Sequence, residues 1–305
     1  MKSLLISHVD LDGVSPNVLM NLTGEKFEYK NIEISEIDNT FDEYFKKDMK
    51  RYKNIYIVDL SLTQHAYDLI NNNNLNNIHV FDHHATHLFA NDYPYVEVKV
   101  DINGIKTCGT ELFYNHLKEE YKELNKQNIK EYVELVRQLD TYDFKDKESA
   151  INLDHLHEVL GHKGFVDTIT KRLKKNKEHF EFTQFEKRLF KIEQNRTNRY
   201  MQLKDKDMIR ATIDKYKVGI VFAESNKSET GNYLSNKYND LDLIILIDAS
   251  SRISYRTSRD DIDVAKFAET YGGGGHKKSS GSKFDNNDRI SIIKSYYKEV
   301  KIEEK

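Results

Sequence analysis

Three short apolar runs in the first half of the chain each end in acidic or histidine residues. They are KSLLISHVD, KNIYIVDLS and NNIHVFDHH, and mixed polar segments such as GVSPNVLMNL lie between them. Short, continuously apolar strands that alternate with helices are typical of a parallel sheet covered by helices on both faces. Ligands of such sheets bind beyond the carboxyl ends of the strands. We therefore expect the three polar clusters to meet at one edge of one sheet.

The first cluster, SHVDLDG, has the residue types of a metal site. His8, Asp10 and Asp12 alternate, so in an extended strand end their side chains project to one face. Imidazole and carboxylate groups are ligands for Mn²⁺, Mg²⁺ or Zn²⁺. Asp59 follows the central apolar run and is the natural candidate to bridge two ions. Carboxylates gathered at one edge of a sheet repel one another, and bound cations remove this repulsion. A pair of such cations is a common catalytic centre for the hydrolysis of phosphate esters.

The third cluster, FDHH at residues 81–84, has two adjacent histidines. One of them can bind a metal while the other donates to a phosphate oxygen in the transition state. Asp82 is then expected to orient a histidine or a backbone group. Alone, Asp12 could be a helix N-cap and Asp59 another cap. The joint occurrence of these residues at three strand ends favours the functional interpretation.

Composition excludes several classes of protein. The 305 residues carry 47 Lys and Arg against 50 Asp and Glu, a net charge of −3, so bulk charge cannot attract long nucleic acids. The single cysteine, Cys108, excludes an internal disulfide framework and a multi-cysteine zinc site. The amino terminus has too short an apolar run for a signal peptide, and no run reaches membrane length. We expect no membrane association and a cytoplasmic location.

The chain is long enough for two domains. A second β pattern begins near MIRATID, after a long predicted helix. The predicted fold is α/β, with an N-terminal parallel-sheet domain that has helices on both faces and a smaller α+β C-terminal domain across a cleft. The predicted boundaries are 1–185 for a catalytic domain, 186–204 for a linker helix and 205–305 for a substrate-binding domain.

The ordered blocks SHVDLDG, VDLS, FDHH and LDTYD resemble the motifs of the DHH phosphoesterase superfamily. The segment YGGGGHKKSSG, preceded by ISYRTS, resembles the C-terminal DHH-associated domain of that superfamily. Among its branches the chain is most similar to the oligoribonucleases, or nanoRNases, which share the short spacing between His8 and Asp10. The resemblance implies a centre of two divalent cations, Mn²⁺ or alternatively Mg²⁺.

The resemblance also implies a role for each residue of the motifs. By this resemblance, His8 and Asp10 would bind the first cation. The second cation would be bound by Asp12, His83 and Asp140, and Asp59 would bridge the two. His84 would face the scissile phosphate, with Asp82 beside it as the second catalytic residue. Asp143, in the same LDTYD block as Asp140, stays open as the alternative ligand.

The glycine-rich stretch GGGGHKKSSG has two interpretations. A bare glycine run can be a flexible surface loop, whereas exposed backbone N–H groups near lysines can form a nest that binds phosphate. Arg256 can place its guanidinium fork on a phosphate. The resemblance favours the second interpretation, and the substrate-binding residues that it implies are Arg256, Gly273, Gly274, Gly275 and His276.

The expected function is hydrolysis of very short single-stranded RNA to nucleoside monophosphates by water that two cations activate. 3′-Phosphoadenosine 5′-phosphate is a second expected substrate. Two alternatives stay open, a hydrolase of polyphosphate or pyrophosphate and a non-catalytic nucleotide-binding regulator. The sequence also leaves open whether the chain forms a homodimer.

Overall fold

The chain forms two compact units, Met1–Phe190 and Lys191–Lys305, in a computed structural model. The residues that the structure describes are 1–46, 49–175, 178–249, 252–284 and 291. The three-part division into a catalytic domain, a linker helix and a substrate-binding domain concerns function and stays a prediction.

A parallel sheet forms the centre of the first unit and, in the described residues, has five strands. Its strands are β1 (Ser3–Ser7), β2 (Phe27–Asn31), β3 (Ile55–Val58), β4 (Ile78–Asp82) and β5 (Val96–Val98). The order across the sheet is β2-β1-β3-β4-β5, and every neighbouring pair is parallel. The three apolar runs of the sequence are therefore the adjacent strands β1, β3 and β4, whose carboxyl ends share one edge.

Helices cover both faces of this sheet because successive strand residues point to opposite sides. The helices that cover it, together with the long α7, are α1 (Leu11–Thr23), α2 (Ile37–Lys46), α3 (Gln64–Asn72), α4 (Gly109–Glu120), α5 (Gln127–Thr141), α6 (Lys147–Lys174) and α7 (Gln184–Lys206). Leu4 and Ile6 belong to an apolar cluster with residues of α2 and α3, whereas Leu5 belongs to a cluster with residues of α1, α4, α5 and α6. The predicted α/β fold class is confirmed.

Short 3₁₀ turns connect several of these elements. They lie at Ile34–Glu36, Met49–Arg51, Ala85–Asp92 and Lys122–Asn125. The long α6 is interrupted at Gly161, whose φ of 63° and ψ of 168° are not helical.

The sequence did not predict β2 or α2. The strand β2, FEYKN, lies at the sheet edge, and its side chains are half-buried or exposed. An edge strand with little apolar burial has no continuous apolar run, so its pattern gives only a weak strand signal.

The segment YVEVKVDI has apolar residues at every second position, a pattern that predicts one strand, but the structure departs from this pattern in its middle. The structure breaks it into β5 and a second strand, β6 (Asp101–Ile102), which pairs with β7 (Ile105–Lys106). The two residues between β6 and β7, Asn103 and Gly104, both have positive φ, the backbone that a tight hairpin of this length requires.

The second unit has a mixed sheet, six-stranded in the part that the structure describes. Its elements, apart from the last hairpin, are β8 (Ile209–Ile213), β9 (Tyr216–Phe222), α8 (Lys227–Lys237), β10 (Leu243–Asp248), β11 (Arg252–Arg256) and α9 (Val264–Glu269). β9 and β10 are parallel and are connected through α8, and the other pairings are antiparallel. The predicted smaller α+β domain is confirmed.

The glycine-rich stretch is neither a loose loop nor an isolated nest. It forms an edge strand, β12 (Gly274–His276), that pairs with β13 (Ser279–Lys283). A Cβ on Gly273 would lie 2.1 Å from the carbonyl oxygen of Gly281, so the close approach of two backbone segments requires glycine there. The conformational part of the prediction is corrected, while the substrate-binding role of these residues stays a prediction.

Among the described residues, none of the helices is both long and apolar enough to span a membrane.

Candidate metal centre

The loop of residues 8–13, which follows β1 and includes the first turn of α1, carries three of the predicted ligands. Asp10 is the N-cap of α1, and its Oδ1 accepts a hydrogen bond of 2.9 Å from the backbone N–H of Gly13. Its other oxygen, Oδ2, lies 2.9 Å from Nδ1 of His8. Asp12 follows in the first turn of α1 and is buried. The loop thus directs one imidazole and two carboxylates toward the carboxyl edge of the sheet.

The amino terminus of α4 holds the buried Asp12. Its two carboxylate oxygens accept hydrogen bonds from the backbone N–H groups of Gly109, at 2.7 Å, and of Thr110, at 2.8 Å. A Cβ on Gly109 would lie 2.8 Å from Cβ of Asp59, so only glycine lets the helix approach both strand ends. This helix terminus was not predicted as part of the site, although its N–H groups and dipole stabilise a carboxylate.

Asp59 lies directly after β3 and between the other donors. Its φ of 56° is left-handed, which is uncommon for a residue with a side chain and is often associated with functional sites. Its Oδ2 lies 3.6 Å from Nδ1 of His8, and its Oδ1 lies 3.3 Å from Nε2 of His83. The carboxylate therefore contacts a histidine on each side, as a bridging ligand would.

His83 connects Asp59 to the end of α5. Its Nε2 lies 3.4 Å from Oδ2 of Asp140 and 3.9 Å from Oδ2 of Asp12. Asp143 instead pairs with the buried Arg137, whose Nη1 lies 3.2 Å from its Oδ2. Of the two aspartates in LDTYD, the structure brings Asp140 to the donor set.

Asp82 and His84 form a pair beside this set. Oδ1 of Asp82 lies 2.6 Å from Nδ1 of His84 and accepts a hydrogen bond from the backbone N–H of His83 at 2.8 Å. Its Oδ2 accepts from the hydroxyl of Ser61 at 2.9 Å and faces the half-buried His87. The His84 side chain is 44% exposed, so it can meet a ligand from solvent. Neither Ser61 nor His87 was predicted to take part in the site.

The donors carry more negative charge than their surroundings offset. Burial, then the charges of Asp59 and Asp140, raise the pKa of Asp12 well above its usual range. Burial also raises the pKa of Asp140 to about 6. Contacts with Asp10 and Asp59 raise the pKa of His8 to about 10. Burial opposes protonation of His83, but the neighbouring carboxylates outweigh it and raise its pKa to about 10.

Orphaned polar atoms show that the donor set fits cations. Among the described residues, Oδ2 of Asp59, Nε2 of His83 and Oδ2 of Asp140 are buried without a hydrogen-bond partner. Such atoms are rare in proteins unless a ligand, an ion or water completes them. Three groups have their donor atoms within 4.8 Å of one another, namely His8, Asp10 and Asp59; Asp12, His83 and Asp140; and Asp59, His83 and His84. The first two match the ligand sets that the resemblance implies, with Asp59 in contact with both.

The predicted substrate-binding residues lie in the second unit. Arg256 is the last residue of β11, and its Nη2 donates to the hydroxyl of Ser228 at 3.2 Å. Gly274, Gly275 and His276 form the exposed strand β12, and Gly273 directly precedes it.

No family model matches the chain. A curated relative, the oligoribonuclease NrnB of Bacillus subtilis (strain 168), is 33% identical over 288 residues, which cover 91% of this chain and 71% of the relative. Two solved structures share the fold. The pGpG-specific phosphodiesterase PggH of Vibrio cholerae has a TM-score of 0.52 at 13% identity and covers 97% of both chains. The exonuclease RecJ bound to manganese has a TM-score of 0.52 at 11% identity, over 97% of this chain and 89% of that one.

We expect Mn²⁺ binding to release protons and to strengthen as pH rises from 6 to 9. With pKa values near 10, His8 and His83 are protonated at neutral pH in the metal-free protein, whereas a metal ligand must be a neutral imidazole. Protonation of His8 and His83 also stabilises the metal-free fold. Because their folded-state pKa values are raised, this stabilisation is complete below pH 6.5 and is lost as pH rises through about 10. Calorimetric titrations in buffers of different ionisation enthalpy measure the released protons. Affinity that does not change with pH would contradict the expected protonation.

We expect Asp140→Asn to weaken Mn²⁺ binding by roughly tenfold or more, the scale of losing a group that supports a metal site. Asp143→Asn is the matched control, because Asp143 pairs with Arg137 and not with the donor set. Equilibrium titration with Mn²⁺ measures both variants. The assignment is wrong if Asp143→Asn loses the affinity and Asp140→Asn keeps it.

Proposed function

Because the chain belongs to the oligoribonuclease branch of the DHH phosphoesterase superfamily, we propose that it is a metal-dependent phosphodiesterase that hydrolyses very short RNA to nucleoside monophosphates. One observation carries the proposal. Six carboxylate and imidazole side chains, spaced far apart in the sequence, converge at one sheet edge in a chain that is 33% identical to an oligoribonuclease.

The donor groups support a site for two divalent cations. We propose His8 and Asp10 as ligands of the first, Asp12, His83 and Asp140 as ligands of the second, and Asp59 as the bridge. Mn²⁺ suits this mixture better than Mg²⁺, because Mg²⁺ prefers oxygen ligands alone. When bound, such cations lower the pKa of water and offset the charge of a phosphate group.

His84 is proposed to act on the phosphate itself. The Asp82 carboxylate accepts a hydrogen bond from Nδ1 of His84 and raises the pKa of that ring, which favours its protonated form. A protonated imidazole that is fixed in orientation and partly exposed can donate to a phosphate oxygen as negative charge develops there. Asp82 is in turn held by Ser61 and by the backbone of His83, so the direction of the His84 ring is set before substrate arrives.

The second unit is proposed to bind the nucleotide. The guanidinium of Arg256 can place two parallel donors on a phosphate, and the edge strand β12 offers backbone groups with no side chain in front of them at its glycines. Recognition of a nucleoside phosphate in this way also supports 3′-phosphoadenosine 5′-phosphate as a second substrate. The proposed division of labour is residues 1–185 for catalysis, 186–204 as a linker and 205–305 for substrate binding.

We expect the Mn²⁺-loaded protein to release nucleoside monophosphates from RNA of two to five nucleotides and from pGpG, and to lose this activity in excess EDTA. The reason is that the donor set without cations cannot offset the phosphate charge. Chromatography of the products measures the reaction, and Asp59→Asn serves as the inactive control. Polyphosphate and 3′-phosphoadenosine 5′-phosphate are tested in parallel. Strong activity on polyphosphate with none on short RNA would reject the proposal.

We expect His84→Ala to lower kcat by about 10²–10³-fold, the usual effect of removing a donor to a developing negative charge, while Mn²⁺ affinity stays near that of the wild type. His65→Ala is a matched control, because His65 pairs with Asp42 at 2.9 Å on an exposed surface. Its kcat should not change. Unimpaired turnover in His84→Ala, or a loss confined to metal affinity, would contradict the phosphate-facing role.

A further inference from the structure

Asn31, the last residue of the edge strand β2, contacts the loop that carries three of the six donors. Its side-chain Nδ2 lies 2.8 Å from the carbonyl oxygen of His8 and 3.2 Å from the carbonyl oxygen of Gly13. The same nitrogen lies 3.0 Å from the hydroxyl oxygen of Ser7. One amide group thus joins the end of β1 to the first turn of α1.

The two carbonyl oxygens mark the ends of the loop. The loop begins at His8 and ends at Gly13, directly after Asp12. It therefore contains the donors His8, Asp10 and Asp12. The loop is tightly closed, since a Cβ on Gly13 would lie 2.3 Å from the carbonyl oxygen of His8. A small change in the separation of its two ends would therefore move His8 relative to Asp12.

The orientation of the Asn31 amide is fixed from the other side. Its Oδ1 accepts a hydrogen bond of 3.0 Å from Nδ2 of Asn17, which is buried in α1. Acceptors surround the amide nitrogen and a donor faces the amide oxygen. A 180° flip of the amide would therefore lose these contacts. Neither an apolar side chain nor a carboxylate can donate to two carbonyl groups at once.

We propose that Asn31 is a positioning residue for the metal centre, which holds His8 and Asp12 at the separation that two cations require. This inference rests on the proposed function, because His8 and Asp12 belong there to different cations. Groups that contact ligands without touching the metal typically change metal affinity by 10–100-fold. Asn31 acts through the backbone of the loop rather than through a ligand side chain.

The test compares Asn31→Ala with a matched control, Asn91→Ala. Asn91 is more exposed than Asn31, but it also holds a backbone in place, donating to the carbonyl of Val98 at 2.9 Å and accepting from its N–H at 2.8 Å. Both variants lose an asparagine clamp on a strand, but only Asn31 contacts the loop of the donor set. A loss of Mn²⁺ affinity in both variants would therefore point to a general effect of losing such hydrogen bonds and not to a role at the donor set.

We expect Asn31→Ala to bind Mn²⁺ about 10–100-fold more weakly than wild type in calorimetric titration without RNA, while Asn91→Ala keeps wild-type affinity. In the metal-free protein, hydrogen exchange of the backbone amides of residues 9–13 should be faster in Asn31→Ala than in wild type, and unchanged in Asn91→Ala. Asn31→Asp, which keeps the shape but turns a carboxylate toward two carbonyls, should bind as weakly as Asn31→Ala and replaces it if that variant does not fold.

Wild-type Mn²⁺ affinity and wild-type exchange in both Asn31 variants would overturn the inference, as would equal losses in Asn91→Ala. Failure of the proposed function looks different. If wild type binds Mn²⁺ but does not cleave short RNA, the proposed function fails while the comparison of affinities still decides the role of Asn31. If wild type binds no Mn²⁺, both fail, because there is no metal centre to position.

Discussion

Repulsion among carboxylates at one sheet edge is the constraint on which the site depends. Asp12 and Asp59 are buried within reach of Asp10 and Asp140, and an ionised carboxylate that leaves water without a partner loses several kcal/mol of solvation. The metal-free fold offsets part of this charge in two ways, by protonated histidines and by the N–H groups of α4 that hold Asp12. Neither way satisfies the buried oxygens of Asp59 and Asp140 that lack hydrogen bonds among the described residues. Divalent cations would supply the missing positive charge.

The parallel sheet explains how residues from distant parts of the chain form one centre. Strands β1, β3 and β4 run in the same direction and are neighbours, so the residues that follow them meet at a single edge. The left-handed backbone of Asp59 turns the chain at the central strand, and its carboxylate reaches histidines on both sides. Gly109 lets α4 approach the same edge. The fold thus determines which oxygen atoms can share an ion, and strand order matters more for this than spacing in the sequence.

The sequence predicted the parts of the site that follow apolar strands, because continuous β-branched runs identify buried parallel strands and their ends. It did not predict Asn31, because β2 is a half-exposed edge strand without such a run. It left Asp140 and Asp143 unresolved, because the choice depends on a tertiary contact, the pairing of Asp143 with Arg137. It also missed the hairpin at the glycine stretch, because pairing of β12 with β13 depends on backbone approach and leaves no side-chain pattern.

The adjacent histidines of FDHH show how a strand end can serve two purposes. The two rings lie side by side, with centroids 4.5 Å apart, but His83 contacts Asp59 and Asp140 while the more exposed His84 contacts Asp82. Asp82 accepts from the backbone of one histidine and from the ring of the other, which fixes both directions with a single carboxylate. On the proposed function, the inward ring is a ligand and the outward ring meets the phosphate. Two identical neighbouring side chains thus meet different partners, so order within the motif matters as much as composition.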